Sequence, residues 1–248
     1  MTLRSQLGKA RARVLSGLYR RTVPLRGVGP VVSFAFDDFP RTALTTGAAI
    51  LEEFGARATY YVAMGLMDST NELGEQFHCA DLQTLVSRGH EVGLHGYEHI
   101  SARRTPLEAF VRDLARCEDA IRACMSAGAS RNFAYPYGEA TLPAKRRVGA
   151  SMTSCRGTIP GFNGPEVDLN LLHATPLYGG EDRLERARQL ILENTKRRSW
   201  LIFYSHDVRE TPSPFGCTPA LLRETVACAA SQGGQVLTVG EVIARLCP

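Results

Sequence analysis

Asp37 and Asp38 stand side by side at the end of the apolar run VVSFAF, residues 31–36, and Phe39-Pro40 follows them. Adjacent carboxylates repel each other and lose hydration beside a buried strand, a cost that a bound cation or a proton offsets. A plain turn would also place aspartate there, with Phe39-Pro40 ending the strand. The second chemistry-bearing stretch is GHEVGLHGYEH, residues 89–99, where His95 and His99 are four apart. At about 100° per residue this spacing stacks two imidazoles on one face of a helical turn. Such a pair can bind a divalent cation if a third protein ligand comes from elsewhere. One of the two aspartates would supply it, and an Asp-His-His set leaves positions open for water and substrate. Histidines at this spacing arise by chance, but together with the aspartate pair they point to a metal. His90 reads instead as a strand-start histidine bonded to backbone.

The elements that must position these groups alternate. Short runs rich in Val, Ile and Tyr predict strands at Val31–Phe36, Ala58–Ala63, His90–Leu94, Asn132–Tyr135, Ala150–Cys155, Leu171–Thr175, Trp200–Tyr204 and Gln235–Val239. Helical patterns lie between most of them. Thr105-Pro106-Leu107-Glu108 reads as a capping box with proline at the first helical position. Leu107, Phe110, Val111, Leu114, Ile121 and Cys124 then form an apolar face, with Gly128 as a stop. Thr218-Pro219 opens another helix ending near Gly233-Gly234, and residues 182–198 form a third, with Asp182 and Arg186 spaced as a pair.

Strands alternating with helices predict a parallel sheet, closed as a barrel or open and doubly wound, in one domain. Asp37 and Asp38, His95, Tyr137 of FAYPYG and His206 of WLIFYSHDV all fall just past the C-terminal ends of these strands. In a parallel barrel those ends converge on one face. Alone, Tyr137 would be an ordinary strand-end aromatic and His206 a satisfied core histidine.

The 248 residues carry a formal charge of +4, unevenly placed. Residues 1–30 hold Arg4, Lys9, Arg11, Arg13, Arg20, Arg21 and Arg26 and no acid. Leu3, Leu7, Val14 and Leu18 share one helical face there. That segment is expected to pack on the barrel, with contact to a membrane surface through residues 1–22 as a lesser alternative. Nothing indicates a nucleic-acid partner, and the sequence leaves the oligomeric state open. No early run reaches the roughly 7–15 apolar residues of a secretory signal, and none approaches the roughly 20 of a membrane span. Seven cysteines without paired spacing suggest reduced thiols and a cytoplasmic protein, with Cys117 and Cys124 in core packing.

FAFDDFP, HGYEH, FAYPYG and LIFYSHDV, in this order, resemble the motifs of the polysaccharide deacetylase family, carbohydrate esterases with a NodB-like domain. The resemblance covers residues 30–245 or so. It implies a distorted (β/α)7-type barrel as residues 29–248, with residues 1–28 as a basic N-terminal extension. It further implies hydrolysis of N-acetyl or O-acetyl groups on an amino sugar, in a polysaccharide, an oligosaccharide, or a lipid-linked or nucleotide-linked precursor. Carried over by residue, Asp38, His95 and His99 would hold a divalent metal, Zn²⁺ above others. Asp37 would be the general base, His206 the general acid, and the Tyr137 backbone N–H an oxyanion donor. In the PSPFGCTP loop, Cys217 has no base beside it, and Phe215 would touch a sugar ring.

The sequence departs from the family pattern at three positions. Phe39 replaces a usual glycine, which predicts a bulkier site floor. Gly96 replaces a usual hydroxyl residue that braces the histidine loop. Ala134 stands where an arginine often holds the base, leaving Arg41, Arg156 and His173 as partners for Asp37. Asp168 is expected to orient His206. Two rival readings follow: another metal-dependent hydrolase of non-peptide C–N bonds, and a catalytically silent sugar-binding protein.

Overall fold

The computed structural model describes residues 14–125, 128–232 and 234–247. Eight strands form one parallel sheet: β1 (Val31–Asp38), β2 (Thr59–Val62), β3 (Glu91–Leu94), β4 (Asn132–Ala134), β5 (Ser154–Arg156), β6 (Thr175–Pro176), β7 (Trp200–Ser205) and β8 (Gln235–Val236). Their spatial order is β6-β7-β1-β2-β3-β4-β5, with β8 beside Val31 and Val32 of β1. The sheet curls into a distorted, incompletely closed barrel. Between its free edges runs the irregular segment 169–174, where Cys155 N–H donates to Leu169 O and Leu172 N–H to Cys155 O, and just beyond it Leu177 N–H donates to Tyr204 O.

Period-two alternation sorts each strand between two cores. Val32, Phe34 and Phe36 of β1, Phe133 of β4, Cys155 of β5 and Leu201 and Phe203 of β7 pack in the layer shared with the outer helices. Val31 and Ala35, Ala134, and Trp200, Ile202 and Tyr204 fill the inner curl with Tyr61. Trp200, the only tryptophan, is buried there, and its Nε1–H donates to Ser33 Oγ at 2.9 Å. By this phase Asp37 and Arg156 both belong to the inner side, on strands at separated positions in the sheet.

Several boundaries differ from the sequence reading. The strand expected at Ala150–Cys155 begins only at Ser154, because a helix Leu142–Gly149 runs into a turn first. Of the expected Leu171–Thr175 only Thr175 lies in a strand, the two-residue Thr175–Pro176. Helix Leu107–Cys124 is present, but Pro106 is its N-cap and makes no side-chain capping bond, so the Thr105–Glu108 box does not form. Asp182 pairs with the neighbouring Arg183 rather than with Arg186. Thr218 does cap helix Pro219–Ser231 through Leu221 N–H. A helix that was not expected, Val239–Leu246, opens with a Thr238/Glu241 capping box.

Cys79 and Cys124 form a disulfide that ties the start of helix Cys79–Ser87 to the end of helix Leu107–Cys124. This overturns the expectation of seven free thiols. Spacing could not reveal the pairing, because the two helices meet only in the folded chain.

Leu3 and Leu7 of the N-terminal pattern lie outside the described residues. Val14 and Leu18 are exposed, while the carbonyls of Leu15 and Leu18 accept from Lys145 Nζ, which also pairs with Asp168 at 2.7 Å. Arg21 donates to the carbonyls of Met152 and Thr153. This end of the extension is therefore clamped to the barrel. Among the described residues no helix is long and apolar enough to cross a membrane.

Candidate active site and metal centre

β1 ends in a backbone kink. Asp38 and Phe39 have φ of +64° and +73°, and Phe39 N–H donates to Asp37 O at 2.7 Å. Left-handed conformations are unfavourable for residues with a Cβ, which gives a reason for glycine after the aspartates elsewhere. Here the Phe39 ring is fully buried between Phe77, stacked at 5.1 Å, and Tyr60 at 5.1 Å. Its bulk enters the outer core and does not raise the site floor, contrary to expectation. The kink also removes Asp38 from the alternation that would send it outward with Phe36.

His95 follows β3, and its Nδ1–H donates to Ala134 O at 2.8 Å. That bond fixes the tautomer and leaves the Nε2 lone pair free. Nε2 of His95 lies 3.6 Å and Nε2 of His99 3.3 Å from Asp38 Oδ1. The three donors come within 4.8 Å of one another. The two histidines do not sit on a helical turn: residues 95–100 are a bent loop, with φ of +82° at Gly96 and +49° at His99. Burial pushes His95 down to about 3 and lowers His99, so both rings are neutral near pH 7 and their approach to Asp38 is not an ion pair. Burial pushes the Asp38 carboxyl up to about 6. Its Oδ1 is buried and makes no hydrogen bond. Two neutral imidazoles and an unpartnered carboxylate oxygen suit a divalent cation of zinc type, which accepts N and O donors and would supply the missing positive charge.

Asp37 has a different environment. Arg156 Nη2 lies 2.7 Å from both of its oxygens, and the arginine is fully buried. Burial alone would raise the Asp37 carboxyl, but Arg156, His95 and His206 outweigh it and hold it below the ordinary carboxylate range. The guanidinium carbon also lies 5.0 Å from the ring centres of both Tyr61 and Tyr204. Arg156 thus takes the place left open by Ala134. The other two candidates face other groups: Arg41 pairs with Glu75 and Asp81, and the carboxylate that acts on the His173 ring is Asp168.

His206 follows β7 and influences the charge of both aspartates. Its Nδ1 lies 3.1 Å from Phe215 O. The expected partner, Asp168, is bound instead to Lys145 and to the backbone N–H groups of Arg21 and Asn170. A carbonyl from the 207–217 loop, not a carboxylate, orients this ring. Asp207 is buried and holds that loop through Ser213. Phe215 is 48% exposed, with its ring 5.8 Å from His206. Cys217 is buried and burial pushes its thiol up to about 12, which excludes a thiolate nucleophile.

Tyr137 has φ of +59°, is 57% exposed and packs against the His99 ring at 4.5 Å. His90 is removed from the site, as expected: Ala58 N–H donates to its Nδ1, and its Nε2 contacts Glu52. One residue was missed altogether. Asp113 accepts from the backbone N–H groups of Tyr97 and Glu98 at 2.9 and 3.0 Å. Its signal was available, since it interrupts the apolar stripe Phe110, Leu114, Cys117 and Ile121.

The family model for polysaccharide deacetylase matches residues 26–152, just over half of the chain. No curated protein matches its sequence. Among solved structures, the chitin deacetylase of the fungal pathogen Colletotrichum lindemuthianum is similar at 20% identity and a TM-score of 0.62, covering 87% of this chain and 88% of its own. The Xyl-CE4 domain of a multidomain xylanase from the hindgut metagenome of Trinervitermes trinervoides is similar at 16% identity and a TM-score of 0.60, with 88% and 91% covered. A family 4 acetyl xylan esterase from Clostridium thermocellum, solved with a cobalt ion, aligns at 20% identity and a TM-score of 0.59, with 87% and 91% covered. At these identities the structures establish the shared fold. With the family match, they establish that the chain belongs to the polysaccharide deacetylase family.

Proposed function

We propose that this chain is a metal-dependent carbohydrate deacetylase that hydrolyses the N-acetyl group of an amino sugar. The observation that carries the reading is the convergence of Asp38 Oδ1 with Nε2 of His95 and His99, beside an Asp37 held ionised by Arg156. Asp38, His95 and His99 would hold the ion, Zn²⁺ by donor chemistry. When bound, such an ion polarises an acetyl carbonyl and lowers the pKa of water.

The remaining chemistry belongs to the chain. Asp37, kept anionic by Arg156, accepts the proton of the attacking water. The backbone N–H of Tyr137 donates to the oxygen on which charge develops. His206 keeps its Nδ1 proton on Phe215 O, so Nε2 carries the proton delivered to the departing amine. Phe215 and Tyr137, exposed on either side, offer apolar surface to sugar rings.

Each departure from the family pattern has a structural answer, which removes the support for a silent binder. Phe39 is absorbed by the core, Arg156 replaces the arginine missing at Ala134, and the histidine loop is braced by Asp113. The Cys79–Cys124 disulfide favours an oxidising compartment over the cytoplasm. Acetyl groups on polymers therefore precede cytosolic precursors in the order of assay.

The test is metal content together with acetate release from N-acetylated chito-oligosaccharides. About one divalent ion per chain is expected, lost in the His95→Ala/His99→Ala variant. Asp37→Asn should keep the ion and lose turnover. A protein that stays empty after incubation with Zn²⁺, or an Asp37→Asn variant with full activity, would refute the reading.

A further inference from the structure

The loop that carries both histidines is tied to the sheet at His95, whose N–H donates to Val62 O and whose Nδ1–H donates to Ala134 O, and to Gly65 N–H through Tyr97 O. Residues 95–100 belong to no helix or strand, and two of them, Gly96 and His99, have positive φ. Helix Leu107–Cys124 meets it through Asp113, Arg116 and the Cys117 thiol, which faces the His95 and Gly96 backbone. Asp113 is buried, and its two oxygens divide the work: Oδ2 accepts from Tyr97 N–H and Oδ1 from Glu98 N–H. One turn further on, Arg116 lies over the Tyr97 ring at 3.5 Å and pairs with Glu98 at 2.7 Å.

Gly96 completes the arrangement. A Cβ there would lie 2.8 Å from Asp113 Oδ2, and the residue's φ of +82° is one that side chains rarely adopt. The volume that a side chain after the first histidine would occupy is taken by a carboxylate from the helix. We propose that Asp113 is a positioning residue of the metal centre: it fixes the backbone before His99, holds that ring against Asp38, and makes glycine obligatory at position 96.

The physical basis is the cost of a loose donor set. A ligand free to swing must be ordered when the ion binds, and that entropy is subtracted from affinity. Charge-assisted hydrogen bonds to consecutive backbone N–H groups order the loop beforehand. Groups that orient metal ligands typically change affinity by about 10–100-fold when removed. Aspartate can accept both bonds. Asparagine can accept only one and turns an amide donor toward the other N–H, so Asp113→Asn should fall between wild type and Asp113→Ala.

This inference rests on the proposed donor set, and the experiment separates the two. Zn²⁺ affinity is measured by competition with a chromophoric chelator, and the visible spectrum of the Co²⁺-loaded protein reports donor geometry. Asp113→Ala is expected to weaken Zn²⁺ by about 10–100-fold and to alter the Co²⁺ bands. Glu241→Ala is the control, because Glu241 also bonds a backbone N–H, at Thr238, but in a cap remote from the histidine loop. It should lower the melting temperature and leave Zn²⁺ affinity unchanged. Gly96→Ala should weaken Zn²⁺ in the wild-type background and less so beside Asp113→Ala, where the carboxylate no longer fills the space. If Asp113→Ala does not fold, Asp113→Asn carries the same comparison. Wild-type protein that binds no ion refutes the donor set and this inference with it. Wild type that binds, with Asp113 variants within twofold and spectrally unchanged, refutes the inference alone.

Discussion

Replacing Arg156 with methionine tests the electrostatic core of the site while keeping most of the side-chain volume. In the folded chain one nitrogen of Arg156 lies 2.7 Å from both oxygens of Asp37, and both groups are buried. With charge centres about 4 Å apart and an effective dielectric of about 20, their attraction is about 4 kcal/mol. Breaking a buried pair from one side costs about 3–5 kcal/mol, because the other charge is stranded. Arg156→Met should therefore lose that much stability at pH 7.5, read from urea unfolding with the single buried Trp200 as the fluorescence probe. The pH dependence fixes the cause. The wild-type Asp37 carboxyl lies below its ordinary value, so its contribution is complete above the unfolded value of about 4 and disappears as pH falls through the folded one. In the variant, burial is opposed only by the weaker influences of His95 and His206, so the carboxyl rises and ionised Asp37 becomes a cost near neutrality. The stability gap to wild type should narrow between pH 7.5 and pH 5, and the acid limb of kcat/KM should move to higher pH. Arg156→Lys, which keeps the charge, should recover part of both losses. A variant within 1 kcal/mol of wild type at pH 7.5, or a gap that widens toward pH 5, would refute this account.

Three further outcomes follow from the same structure. Phe215→Ala should change stability by less than about 0.5 kcal/mol, since the ring is half exposed, yet raise KM several-fold for oligosaccharides; an unchanged KM would remove Phe215 from the substrate wall. Cys79→Ser/Cys124→Ser should cost about 2–4 kcal/mol by freeing a long loop in the unfolded chain, and a non-reduced digest of wild type should contain the two linked peptides. Lys145→Met strands the Asp168 carboxylate and uncaps the carbonyls of Leu15 and Leu18, so a loss of about 3–5 kcal/mol is expected, with faster proteolysis near residues 14–21; unchanged cleavage would mean that the clamp does not hold this segment.

By itself the sequence determined the parallel α/β plan, most of the strands, and the placement of Asp37, Asp38, His95, Tyr137 and His206 past strand ends. The reason is local: alternation, helical periodicity and caps are encoded within a few residues of each element. Even the HxxxH pair was found for a local reason that proved wrong, since a strained loop and not a helical turn brings the rings together. The tertiary structure decided what those groups touch. Arg156 reaches Asp37 across 119 residues because the sheet curls until β5 and β1 share one interior. Asp113 meets the histidine loop because its helix packs beneath it, and Cys79 finds Cys124 because two helix ends abut. Phe215, rather than Asp168, supplies the partner of His206 for the same reason. Charge pairs, loop braces and disulfides depend on distances between elements, and those distances are set by how the layers pack rather than by spacing along the chain.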